Sequence, residues 1–351
     1  MTSKKYVVFF VSVLYMFMTA NLVLWHGTVK TIFQQRDLNR MGSIKTTEPL
    51  TEDKHYPKHH TELADYIASG NFESFDVLTI GDSFTNGKDG GSYPDYLVNE
   101  YGLKVLNAKI NISDLYILDK FGWLDKISPK AVIFEMVERG VQGFLWPKSL
   151  EIKMTDEKAK AILSRSAETP EPNTDDFLPA ISFRSTMIYI YNKIYHLLNP
   201  EQLSPEAYIT KLDRNFFTNP GFEDTLLYYA GDLGHLGNTL NSETVNQNLN
   251  AAARLLKGKG IKLIFFSAAD KYDLYYPYIT DKKGRFQNPF FQKMRDVPGK
   301  EYIFVDTMTP LRQALELGEQ DLYWLNDTHW SHKGIKIVCD EIVKYILPDL
   351  R

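Results

Sequence analysis

The chain of 351 residues has a single cysteine, Cys339. No internal disulfide can form, so a domain of this size must rest on its apolar core. Cys339 lies in the apolar pattern GIKIVCDEIVKYIL and reads as a small core residue. One thiol gives no footing for a zinc-thiolate site or a cysteine nucleophile. There is no long basic block and the formal net charge is -4, so electrostatics offers nothing to nucleic acid. No G-x-G-x-x-G follows a strand-like run and no phosphate-binding P-loop occurs, so no nucleotide cofactor is expected. No internal repeat is visible. One further absence is local: Tyr6 to Trp25 carries no charge.

That uncharged run is about 20 residues, enough to cross the hydrocarbon core of a bilayer. Lys4 and Lys5 precede it and favour a cytoplasmic N-terminus, against Lys30, Arg36 and Arg40 behind it. The competing reading is a cleaved signal peptide, whose apolar region is shorter, roughly 7–15 residues. The expected organisation is a cytoplasmic stub over 1–5 and an uncleaved anchor over 6–25. A stalk or wrapping segment over 26–73 and a folded domain over 74–351 follow. The location expected is the inner (plasma) membrane, single-pass, with the domain on the periplasmic or extracytoplasmic side. Segment 26–73 holds His55, His59 and His60, read as part of a solvated juxtamembrane loop with no second ligand cluster nearby.

What is present beyond residue 73 is alternation. Hydrophobic residues make up 44% and charged residues 24%, a globular balance, with 21 Tyr and 21 Phe to fill a large core or line a groove for sugars. The runs FDVLTIG, KVLNA, KAVIFEM, IKLIFFSAAD and EYIFVD read as short strands. Between and after them, YPDYLVNEYG, SDLYILDKFGWLDKI, VNQNLNAAARLLKGKG and SHKGIKIVCDEIVKYIL read as helices. Continuous apolar strands alternating with helices predict an α/β fold, a three-layer flavodoxin-like parallel sheet. The alternation breaks over about 140–244, which reads as an insertion over the strand ends, equally a structural cap or a substrate-binding element. It includes the acidic, proline-rich SAETPEPNTDD.

In such sheets, sites lie beyond the carboxyl ends of the strands. Ser83, in LTIGDSFTNG, falls there. A serine hydroxyl needs a base within hydrogen-bond reach, and the base needs an orienting acid. YWLNDTHWSHKG supplies Asp327 and His329 just before the last helix. Each motif alone reads equally as an ordinary turn or helix start. Together, at opposite ends of an α/β pattern, they mark a site. Metal binding by Asp327 and His329 is the other functional reading, and it lacks a third ligand in the motif; no metal is expected.

IGDSF early and DTHW late resemble the SGNH (GDSL-like) hydrolase superfamily. VIFEMVER, AADKYDLYYPYI and LNDTHWSHKG resemble the alginate O-acetyltransferase-like group, whose signature contains a D-x-H-W element. The resemblance covers roughly Phe75 to the end. It implies Ser83 as nucleophile, His329 as base and Asp327 as orienting acid. It adds Arg139, Lys271 and Tyr275 as active-site residues, with Trp330 beside the base, for the oxyanion or the substrate. Arg139 reads equally as a structural ion-pair residue. The order of motifs differs from alginate acetyltransferases, where the Asp-His element precedes the serine. Asp327 stands two residues before His329, where ordinary superfamily members place it three before. LNAKINIS has no glycine and FEMVERG carries Glu135 where an asparagine block would lie, so Ser83 N–H is the one oxyanion donor legible.

The activity implied is a serine-dependent O-acetyltransferase acting on an exported or cell-envelope polysaccharide through an acetyl-serine. A deacetylating carbohydrate esterase and a non-catalytic glycan-binding scaffold are the alternatives. Lacking a nucleotide site and having one span, the chain would need a separate membrane protein to deliver acetyl groups; the resemblance implies a membrane-bound O-acyltransferase in that role.

Overall fold

The structure, a computed structural model, describes residues 3–52, 54, 56–70, 73–86, 92–110, 112–141, 179–236 and 241–349. The sequence SAETPEPNTDD lies outside them.

Six strands form one parallel sheet: β1 (Thr61–Glu62), β2 (Val77–Ile80), β3 (Val105–Ala108), β4 (Ala131–Val137), β8 (Lys262–Ala268) and β9 (Ile303–Val305). Their order is β1-β3-β2-β4-β8-β9. Without the short edge strand β1, this is the flavodoxin-like order 2-1-3-4-5. The central strands are buried on both faces; every residue of β2 and β3 is inaccessible or nearly so. That explains their largely apolar runs. Phe134 and Phe265 stack across β4 and β8 at 5.5 Å.

The helices start and stop where local chemistry requires. Tyr93–Tyr101 has a proline in its first turn and ends at Gly102 with φ 67°. SDLYILDKFGWLDKI forms two short helices, Leu115–Lys120 and Trp123–Ile127, because the chain turns left-handed at Gly122. Ser242–Lys257 is capped by Asn241, whose side chain accepts from Thr244 N at 3.0 Å. His332–Ile342 is capped by Ser331 and buries Gly334, Ile335, Val338, Cys339 and Ile342 on one face.

The described part of the 140–244 stretch contains the helix Pro179–Leu198 and a separate antiparallel sheet, β5 (Gln202–Ser204), β6 (Ala207–Lys211) and β7 (Thr225–Tyr229). The run FRSTMIYIYNKIYHLL is helical.

One N-terminal helical segment, Lys4–Phe33, is long and apolar enough to cross a membrane. The residues after it wrap the α/β body instead of extending from it. Leu38, Leu63 and Tyr66 join its core, and β1 pairs with β3. His60 is likewise not solvated: it is 9% exposed between Asp95 and Glu62.

Candidate active site

β2 and β4 flank the point where the strand order reverses, the expected place for a ligand crevice. After β2 the chain makes a tight turn through Gly81, Asp82 and Ser83. A Cβ at Gly81 would stand 2.0 Å from Thr85 Oγ1 and 2.5 Å from Glu135 Oε2, so only glycine fits. Asp82 staples the turn to the neighbouring strand. Its Oδ2 accepts from Val137 N at 2.7 Å and its Oδ1 from Phe84 N at 3.1 Å. Glu135 Oε2 accepts from Asp82 N at 3.1 Å and Thr85 Oγ1 at 2.7 Å. Burial and the charge of Asp82 push Glu135 well above the usual carboxylate range. Asn86 donates to Gly81 O at 2.9 Å and is held by Asn107 Nδ2, also at 2.9 Å. These contacts leave Ser83 exposed at the tip. Its N–H has no hydrogen-bond partner among the described residues.

The second loop arrives from the other end of the sequence. Ser83 Oγ and His329 Nε2 are 2.8 Å apart, and His329 Nδ1 and Asp327 Oδ1 are 2.7 Å apart. Asp327 Oδ1 also accepts from His329 N at 3.1 Å. Burial alone would lower the His329 pKa; the hydrogen bond and charge of Asp327, with Asp37 and Asp82 behind, outweigh it and raise it. Asp327 is opposed by burial in the same way, yet its bond to His329 and the charges of His329 and Arg36 bring it below its ordinary value. The arrangement is a serine–imidazole–carboxylate relay with distances suited to proton transfer.

The loop is fixed from below and from the side. Gly334 lies so close to Leu322 O that a Cβ there would be 2.3 Å from it. Lys271, 1% exposed, donates to the carbonyls of Trp324 and Leu325 at 2.7 Å each and Asp327 at 3.1 Å. Burial lowers its pKa to about 7. Its ammonium is therefore buried beneath the Asp327 loop. Tyr275 is fully buried against Phe216, Phe217 and Tyr323, a core residue with no route to the site. Trp330 is 3% exposed and supports the site indirectly: Phe84 is sandwiched between its ring, at 4.7 Å, and that of His329, at 4.8 Å. Of the sequence-predicted residues, Ser83, Asp327 and His329 converge, while Lys271, Tyr275 and Trp330 lie behind them.

Arg139 follows β4 at the same sheet edge. Its Nη1 donates to Asp270 at 2.6 Å and Asp232 at 3.2 Å, and its guanidinium lies 5.3 Å from the Tyr229 ring centroid. These contacts realise the ion-pair reading; the side chain remains 21% exposed.

Sequence reasoning missed the contribution of residues 36–46. Arg36 lies over Trp324 at 4.3 Å and 3.5 Å from Asp327 Oδ2. Asp37 accepts from Thr328 N at 3.0 Å, and its Oδ2 is 4.0 Å from His329 Nδ1. Asn326 bonds both Leu38 N, through its carbonyl at 3.1 Å, and Thr46, through its side chain at 3.2 Å. No local pattern signals a contact between positions so distant in sequence. Asp37, Asp327 and His329 each bring a donor atom within 4.8 Å of the others, a spacing that would also suit a metal, but His329 Nδ1 already meets Asp327.

No known protein-family model matches this chain, and no curated protein matches it.

Proposed function

We propose that the chain is a membrane-anchored, serine-dependent O-acetyltransferase that modifies an exported or cell-envelope polysaccharide. The observation that carries this reading is the relay from Ser83 Oγ through His329 to Asp327. In the proposed reaction, His329 Nε2 takes the Ser83 proton as Oγ attacks an acetyl carbonyl. The leaving group departs with that proton and an acetyl-serine remains. A sugar hydroxyl, deprotonated by His329, then attacks the acetyl-serine and restores Ser83. Asp327 holds the ring's Nδ1 and stabilises its cation. Ser83 N–H, lacking another partner, is available to the oxyanion. The SGNH-like fold and a capping role for the β5–β7 insertion belong to the same proposal. So does the supply of acetyl groups by a membrane-bound O-acyltransferase. The apolar segment Lys4–Phe33 supports an anchor that holds the site close to such a donor. Exposure of Ser83 favours one second reading, an esterase in which water discharges the acetyl-serine.

The test offers the purified full chain a chromogenic acetyl ester together with candidate glycans. Mass spectrometry reads acetylation at Ser83, and released acetate is compared with acetylated sugar. Acetyl transfer to sugar, absent in Ser83→Ala, is the result expected. Acetate release alone would assign the esterase, and undiminished turnover by Ser83→Ala would overturn both.

A further inference from the structure

At the carboxyl ends of β4 and β8, three carboxylates meet out of water. One oxygen from each of Glu138, Asp270 and Asp273 lies within 4.8 Å of those of the other two. The residues are 3%, 1% and 0% exposed. Each has one oxygen satisfied. Asp270 N donates to Glu138 Oε2 at 3.0 Å, Arg139 Nη1 to Asp270 Oδ1 at 2.6 Å, and Asn288 N to Asp273 Oδ1 at 2.7 Å. The other three oxygens, Glu138 Oε1, Asp270 Oδ2 and Asp273 Oδ2, are buried with no hydrogen-bond partner. One such oxygen is costly, and three in one cluster share a need for a positive ligand.

Charge balance points the same way. Asp232, also buried, shares Arg139 Nη1 at 3.2 Å. The guanidinium groups beside these four carboxylates are Arg139 and Arg312, the latter donating to Asp273 O at 3.0 Å. Lys271 Nζ is turned to the carbonyls of 324, 325 and 327. Even with its charge included, the ionised cluster is negative.

We propose that Glu138, Asp270 and Asp273 form a binding site for a hard divalent cation, calcium foremost. The donors are all oxygen, which excludes a preference for soft metals. Calcium takes oxygens at ~2.3–2.6 Å, so ligands on opposite sides of it stand up to ~5 Å apart. The three oxygens, each within 4.8 Å of the others, lie inside that span. Magnesium, at ~2.0–2.1 Å, demands a tighter octahedron and retains several waters, which a site buried this deeply does not favour. A bound cation would tie the ends of β4 and β8 and fix Asp270, which holds Arg139 at the edge of the sheet. The inference stands independently of the role of Ser83.

The test uses the full chain in detergent micelles, stripped with a chelator and titrated with calcium chloride alone. The wild type should bind one ion per chain by calorimetry, more tightly than magnesium, and its melting midpoint should rise by several degrees. Asp273→Asn and, separately, Glu138→Gln should weaken calcium binding at least tenfold and abolish the calcium-dependent shift. Their melting in chelator should be unchanged or raised, because like-charge repulsion is relieved. Asp281→Asn, on the exposed surface, should bind as the wild type does. If Asp273→Asn does not fold, the wild-type titration and Glu138→Gln decide. Absence of calcium binding by the wild type overturns the proposal and leaves protons to neutralise the cluster. Unaltered binding in both variants overturns it equally.

Discussion

His60 and His329 are each paired with an aspartate, and the second nitrogen separates them. His60 Nδ1 lies 2.8 Å from Asp95 Oδ1, and its Nε2 lies 3.2 Å from Glu62 Oε1. Burial lowers the pKa of this ring, but the two carboxylates win and raise it to about 9. With acids on both sides it is a fixed cation, tying the β1 edge to the helix Tyr93–Tyr101. His329 uses Nδ1 in the same way, at 2.7 Å from Asp327, but Nε2 faces the Ser83 hydroxyl and the side chain is 34% exposed. A histidine–aspartate pair is thus equally an ion-pair clamp or half of a relay. The chemistry follows from what the free nitrogen meets.

The strongest way to break this comparison is to remove the hydroxyl. Ser83→Ala should reduce acetyl-ester turnover by roughly 1,000-fold or more with an unchanged melting midpoint, while His60→Gln should stay within a few-fold of wild type. Initial rates and thermal melts on both variants check this. Asp327→Asn should come next. It should lower kcat by about 100- to 10,000-fold because the imidazole loses its orienting charge. Lys271→Met should follow with a loss of about 10- to 100-fold in kcat. Three loop carbonyls lose their donor, and denaturant titration should show a cost of about 2–3 kcal/mol.

The remaining tests sharpen the comparison through pH. The folded pKa of His60 is raised above its ordinary 6.5 to about 9. Its stabilisation is therefore fully present below pH 6.5 and lost as pH rises through about 9. His60→Gln should cost on the order of 2 kcal/mol at pH 6 and almost nothing at pH 10, read from denaturant titrations at both. His329 must be neutral to accept a proton, and its pKa is raised, so activity should rise with pH along a limb centred above 6.5. Asp37→Asn removes a negative charge 4.0 Å from the ring and should move that limb to lower pH, by under about one unit. An unmoved limb would assign Asp37 to loop support alone.

The pattern of the chain made its sheet legible. The stretches AVIF of β4 and LIFF of β8 are apolar without interruption because both faces of the strands are covered, and that is visible residue by residue. Ser83, Asp327 and His329 were legible too, since a tight glycine turn and an Asp-x-His step are local features. Lys271 and Tyr275 are chemically active residue types in the motif AADKYDLYYPYI, yet both are buried behind the loop. Exposure is not a local property, so their types could not reveal it. His60 was misread for the same reason: a polar neighbourhood in sequence is not a solvated one in space.

What the sequence by itself determined is therefore the alternation, the apolar N-terminal helix and the residue types of the relay, all set by periodicity and short-range geometry. What only the tertiary structure decided is which groups face one another. Residues 36–46 close over the Asp327 loop, and Glu138, Asp270 and Asp273 converge in the interior. Both meetings depend on packing between segments far apart in the chain, where the free energy comes from excluding water across many contacts and no single stretch carries the signal.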